Sequence, residues 1–201
     1  IAGPGHSASP QARLRTVRKA LEAEGKPVLV THGGDFLFPS VMSKYLKGGP
    51  MIEALNLLDG DPGAFDEDLI VTLGNHEFDD KDPGVVLGRM AQSDFRWLTT
   101  NVLYRSASAG APEPFSNRVA RMADLVVRDL GGIRVGLFSL TVDDEPAAWL
   151  AYGFELEARR ATVSRTLGTP VRRNGITARS SASVVGAGSS PAVRAVRTAS
   201  S

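Results

Sequence analysis

Leu69-Ile70-Val71-Thr72-Leu73-Gly74-Asn75-His76-Glu77-Phe78-Asp79 is the stretch that decides how this chain is read. Its first half is a short, apolar, β-branched run of the kind that forms a buried strand, and Gly74-Asn75 breaks it at once. Upstream, Val28-Leu29-Val30-Thr31 runs into His32-Gly33-Gly34-Asp35 in the same way. There the two glycines let the backbone bend sharply and leave a carboxylate projecting at the strand end. Two successive strands thus deliver Asp35 and Asn75 to the carboxyl edge of a sheet, where α/β proteins gather their ligand-binding loops.

Working outward, residues 11–24 place Leu14, Val17 and Leu21 at helical spacing among charged residues, with Gly25 and Pro27 as stop signals. Residues 51–58 predict a second helix with Met51, Ile52, Leu55 and Leu58 on one face, and residues 83–90 a third. Further strands are predicted at 97–100, 125–130 and 134–140, the last two joined by a Gly131-Gly132 turn as a hairpin. Helix and strand alternate and then a hairpin follows. That order predicts an α/β fold whose sheet is parallel at first. Trp97, Phe95 and Trp149 read as packing residues.

The chain has 201 residues, 42% of them hydrophobic, enough for one packed domain or for part of a larger protein. Its formal charge of +1 conceals a division. After Glu157 there is no acidic residue but eight arginines, which leaves 15 Lys+Arg against 22 Asp+Glu before that point. The expected organisation is therefore a folded region over 1–157 and a basic, low-complexity tail over 158–201 without packed structure. Two readings of that tail stand side by side: a disordered linker, or text produced by loss of the coding frame near Val163. The tail arginines are unclustered and lack interleaved aromatics, so no nucleic-acid partner is expected. No apolar run is long enough to span a bilayer, so no membrane partner is expected either.

There is no cysteine, so a metal here must be held by oxygen and imidazole ligands. Asp35 suits that role, as does the Asn75 amide oxygen. Asp79 lies three residues beyond His76, placed to accept a hydrogen bond from the imidazole and fix its tautomer. Taken singly, each of these stretches also fits a turn capped by its own side chains. His6 and His32 read as structural or exposed residues, and Asp143-Asp144-Glu145 as a solvated turn.

Gly34-Asp35-Phe36, then Ser40, Ser43, Gly48-Gly49, Met51-Ile52-Glu53-Ala54-Leu55-Asn56 and Gly74-Asn75-His76-Glu77-Phe78-Asp79 follow one another in an order that resembles the calcineurin-like metallophosphoesterases, specifically their 5'-nucleotidase branch. The resemblance runs from about Leu14 to Glu157 and takes in Asn101-Val102 and Thr141 to Pro146. It implies a β-sheet sandwich flanked by helices, with βαβ units ahead of the hairpin, and hydrolysis of a small phosphate ester or nucleotide. It also implies two divalent ions (manganese, zinc, iron, cobalt or magnesium). In that family pattern Asp35 bridges the two metals, Asn75 binds one of them, His76 contacts the phosphate and Asp79 orients His76.

The family's Asp-x-His and Gly-His-x-His motifs are not in this sequence, nor is its further lone ligand histidine. The expectation is a chain clipped at both ends, with its metals incompletely bound. The alternative to an enzyme is a catalytically inactive fragment that keeps the first half of the fold. The family is often periplasmic or extracellular, and the first residue here is Ile1. Localisation and oligomeric state stay open.

Overall fold

The computed structural model describes residues 9–104, 111–141, 154–156, 182–187 and 194–199. The chain starts with α1 (Pro10–Ala23), whose Ser9 side chain caps the helix by accepting from the Ala12 N–H. Strand β1 (Val30–His32) leads through the Gly34-Asp35 turn to a short helix α2 (Val41–Leu46) and then α3 (Gly49–Asn56). Strand β2 (Asp66–Thr72), helix α4 (Pro83–Gln92) and strand β3 (Phe95–Leu98) complete the βαβ region. After it come β4 (Val102–Tyr104), β5 (Glu113–Pro114) and β6 (Met122–Ala123). The hairpin follows as β7 (Val126–Leu130) and β8 (Ile133–Leu140), turning on Gly131 and Gly132, both at positive φ.

A parallel sheet has the order β1-β2-β3-β6. Side chains along its central strands alternate between two faces, as the pleat requires. Leu69, Val71 and Leu73 with Phe95 and Trp97 point one way, into a core shared with Ile52, Leu55, Leu58, Val86 and Met90 of α3, α4 and the turn between α3 and β2. Ile70 and Leu98 point the other way and pack on Val126, Val135 and Leu137 of the antiparallel hairpin. The result is an α/β sandwich: helices on the outer face of a parallel sheet, and a second sheet on its inner face. The small strands β4 and β5 form a third sheet with β9 (Phe154–Leu156).

One difference from the sequence reading has a physical cause. Helix α1 forms where its periodicity predicts, but Leu14 and Val17 are 41% and 56% exposed while Arg18 is buried. The Arg18 guanidinium donates to both carboxylate oxygens of Asp66 at the start of β2, so Arg18, rather than Leu14 or Val17, stands on the buried face. Further along the chain lie β10 (Ala182–Ala187) and β11 (Arg194–Ala199). β10 pairs antiparallel with β8, and β11 pairs with β10. The β8 edge presents a row of backbone donors and acceptors that another strand can satisfy, and both segments carry β-branched valine. The expectations for Asp143 to Glu145 and for Trp149 fall outside the described residues, as does His6. Among the described residues, no helix is long and apolar enough to cross a membrane.

Candidate functional site

The two motif turns meet at the carboxyl ends of β1 and β2. Gly34 has φ +89°, and a Cβ there would overlap the Gly74 backbone. A Cβ on Gly74 would overlap the Asp35 carboxylate. The turns therefore touch backbone to backbone, an approach open only to glycine. Asp35 sits at φ +60°, a left-handed conformation that non-glycine residues seldom adopt, and strain of this kind concentrates at functional sites.

Asp35 is half-buried, and its Oδ1 accepts a hydrogen bond from the His76 backbone N–H at 3.1 Å. Asn75 is half-buried and precedes a single 3-10 turn, His76–Phe78. The His76 Nδ1 lies 2.9 Å from Asp79 Oδ2. That hydrogen bond raises the imidazole pKa above its ordinary value of 6.5, so the cationic form persists further toward neutral pH. With Nδ1 engaged by a carboxylate, Nε2 is the nitrogen left to meet a ligand. Asp35, Asn75, His76 and Asp79 are thus brought together at one sheet edge, although 44 residues of sequence separate the first from the last.

Glu77 lies within the same sequence motif. It is 1% exposed. Its Oε2 accepts from the N–H groups of Asp35 and Gly74 at 2.8 and 2.6 Å, and its Oε1 from those of Phe36 and Leu37 at 2.9 and 3.2 Å. Burial pushes the Glu77 carboxyl up, while the four amide donors oppose that by favouring the ionised form. No side-chain pattern in the sequence announces these contacts, because every partner is a backbone group.

His32 lies at the end of β1 with its Nδ1 accepting from the Gly34 N–H at 3.2 Å, and its ring meets Phe36 edge-on at 4.9 Å. Burial lowers its pKa. With Nδ1 accepting, the proton of the neutral ring sits on Nε2, which makes that nitrogen a donor. Lys47 pairs with Asp80, tying the end of α2 to the segment that carries Asp79.

The described residues alone do not form a cradle for two divalent ions. No group of three His, Cys, Asp or Glu side chains able to hold a metal occurs among them. Asp35 and Asn75 supply two oxygen donors, and the His76 Nδ1 is already engaged with Asp79. This set alone does not close a two-metal shell.

The parallel sheet, the packed hairpin and the polar turns at the strand ends define a two-sheet α/β sandwich. Among solved structures, the sulfate thiohydrolase SoxB of Thermus thermophilus matches with a TM-score of 0.58 at 15% identity, covering 79% of this chain and 26% of that one. The NAD nucleotidase NadN of Haemophilus influenzae matches with a TM-score of 0.58 at 18% identity, covering 79% and 28%. A Staphylococcus aureus protein assigned as a 5'-nucleotidase matches with a TM-score of 0.51 at 13% identity, covering 77% and 28%. The chain shares its fold with the matched part of each of these structures. The chain spans about a quarter of the length of these structures. No protein-family model and no curated protein sequence matches it.

Proposed function

We propose that this chain carries part of the active site of a metal-dependent phosphoester hydrolase of the 5'-nucleotidase type, acting on a phosphate monoester or a nucleotide. The observation that supports this most is the 3.1 Å contact from the His76 N–H to Asp35 Oδ1. It sets the Asp35 carboxylate, the Asn75 amide and the His76–Asp79 pair at one sheet edge. In this reading Asp35 and Asn75 are two of the metal ligands. Two oxygen donors do not by themselves define a metal centre.

His76 donates from Nε2 to a phosphoryl oxygen as negative charge grows there in the transition state. Asp79 holds the ring in that orientation and favours its cationic form, which strengthens the donation. Hydrolysis of p-nitrophenyl phosphate in the presence of Mn2+ tests the assignment. His76→Ala is expected to lower kcat by at least about a hundredfold, the scale of losing one preorganised transition-state donor. Full activity in that variant removes His76 from the chemistry.

A second reading has its own observation behind it, the absence of a three-ligand group among the described residues. In that reading the chain keeps the first half of the fold without catalysis. Mn2+ titration of the wild-type protein separates the two: stoichiometric binding with turnover supports the enzyme, and neither supports the inactive fragment.

A further inference from the structure

Glu77 belongs to neither of the groups just assigned, yet its carboxylate makes more contacts across the site than any of them. Its four donors come from two segments far apart in sequence: Gly74, three residues before it, and Asp35, Phe36 and Leu37, about 40 residues before it. A carboxylate offers about four lone-pair directions over two oxygens, and here each oxygen takes two N–H groups. Every neighbour is a donor, so an ionised carboxylate satisfies all four and nothing else of that size does. Asp35 returns the link by accepting from the His76 N–H. The Gly34 and Gly74 backbones lie too close for any side chain, so no other group can be inserted between the turns.

We propose that Glu77 is a positioning residue: its buried carboxylate fixes the Asp35 turn against the Gly74-Asn75-His76 turn and so sets where Asp35, Asn75 and His76 stand relative to one another. The clamp is a property of the fold; its consequence for ligand binding rests on the function proposed above. Glu77→Gln is nearly isosteric but replaces one acceptor oxygen with an NH2 that faces amide N–H groups, so two hydrogen bonds become donor against donor. Glu77→Asp keeps the charge and shortens the reach by one methylene. It is expected to keep the local bond to Gly74 and to lose those to Phe36 and Leu37.

Amide hydrogen exchange on the full chain, read by NMR, tests the clamp directly. In Glu77→Gln, exchange at Asp35, Phe36, Leu37 and Gly74 is expected to quicken more than about tenfold while Val71 and Trp97 in the sheet core keep wild-type protection. Unchanged protection at the four amides overturns the proposal, and so does an equal loss at Val71 and Trp97, which would mark a merely general destabilisation. Should Glu77→Gln fail to fold, Glu77→Asp decides. Loss confined to the Phe36 and Leu37 amides supports the clamp, and wild-type protection at both overturns it.

Mn2+ alone then probes the consequence. Paramagnetic broadening of Asp35 and Asn75 signals is expected at one common Mn2+ concentration in wild type, and at separate, higher concentrations in Glu77→Gln. No broadening in wild type counts against the proposed function and leaves the exchange result to decide the clamp.

Discussion

Gly34 and Gly74 carry no chemistry, yet the site depends on them because they let two turns occupy the space of one. Gly74→Ala places a methyl group on the Asp35 carboxylate and cannot be relieved without separating the turns. It is expected to cost at least about 2 kcal/mol, the scale of overpacking a rigid contact, read as a lower urea midpoint at unchanged slope. His32 adds a pH dependence of definite sign. Its folded pKa lies below the ordinary 6.5, because burial disfavours the cation and Nδ1 must stay unprotonated to accept from Gly34. The stability it contributes is therefore present above pH 6.5 and lost as pH falls through the lower, folded value. His76 has the opposite shift, so the two partly offset each other in wild type. The difference between wild type and His32→Asn, whose amide oxygen can stand in for Nδ1, isolates the His32 part. That difference should fall with acidification by at most about 1.4 kcal/mol per pH unit, measured by urea unfolding from pH 7 to 5. The sequence showed Asp35, Asn75, His76 and Asp79 as candidates because their side chains are the signal. It hid the Glu77 contacts because backbone amides are the same at every residue.

At the scale of elements, the strands with continuous apolar runs were legible. Burial on both faces of a parallel sheet demands such runs, and β2, with Leu69, Ile70 and Val71 all buried, shows one. Helix α2 was not legible, for a reason visible in its packing. It is six residues long, and the residue it buries is Ser43, which forms a reciprocal capping box with Ser40, while Val41, Met42, Tyr45 and Leu46 are exposed. Apolar periodicity cannot announce a helix that turns its polar residue inward. Helix α1 departs from its periodicity in a related way, through the Arg18–Asp66 pair, whose side chains are 6% and 8% exposed. Asp66→Ala leaves a buried guanidinium with only the half-exposed Glu22 beside it and is expected to cost about 3 kcal/mol or more by urea unfolding. Combining Arg18→Met with Asp66→Leu should recover most of that loss, because both desolvated charges are then gone. A double variant no better than Asp66→Ala would show that α1 docks through other contacts.

At the scale of the molecule, the question is what joins the hairpin sheet to the parallel sheet at the end where the site lies. The apolar contact among Ile70, Leu98, Val135 and Leu137 holds the middle of the sandwich, and a polar clamp closes its edge. Asn101, just past the end of β3, is 1% exposed; its Oδ1 accepts from the Thr141 N–H at 2.8 Å and its Nδ2 donates to the Thr141 carbonyl at 3.0 Å. Thr141 follows β8, and its hydroxyl donates to the Leu73 carbonyl at 2.8 Å, one residue before Gly74. The end of the second sheet is thereby fixed to the ends of both central strands of the first. Asn101→Ala removes both partners of the Thr141 backbone in a place that water does not reach. It is expected to cost about 2–4 kcal/mol, since each buried, unsatisfied peptide group costs about 1–3 kcal/mol. Thr141→Val removes only the hydroxyl and should cost about 1–2 kcal/mol, the scale of leaving one buried carbonyl without its donor. If the clamp joins the sheets as described, both variants lower the urea midpoint without splitting the transition, and Asn101→Ala lowers it more. A larger effect from Thr141→Val would place the main connection at the Leu73 carbonyl, and a second transition would mean that the two sheets unfold independently.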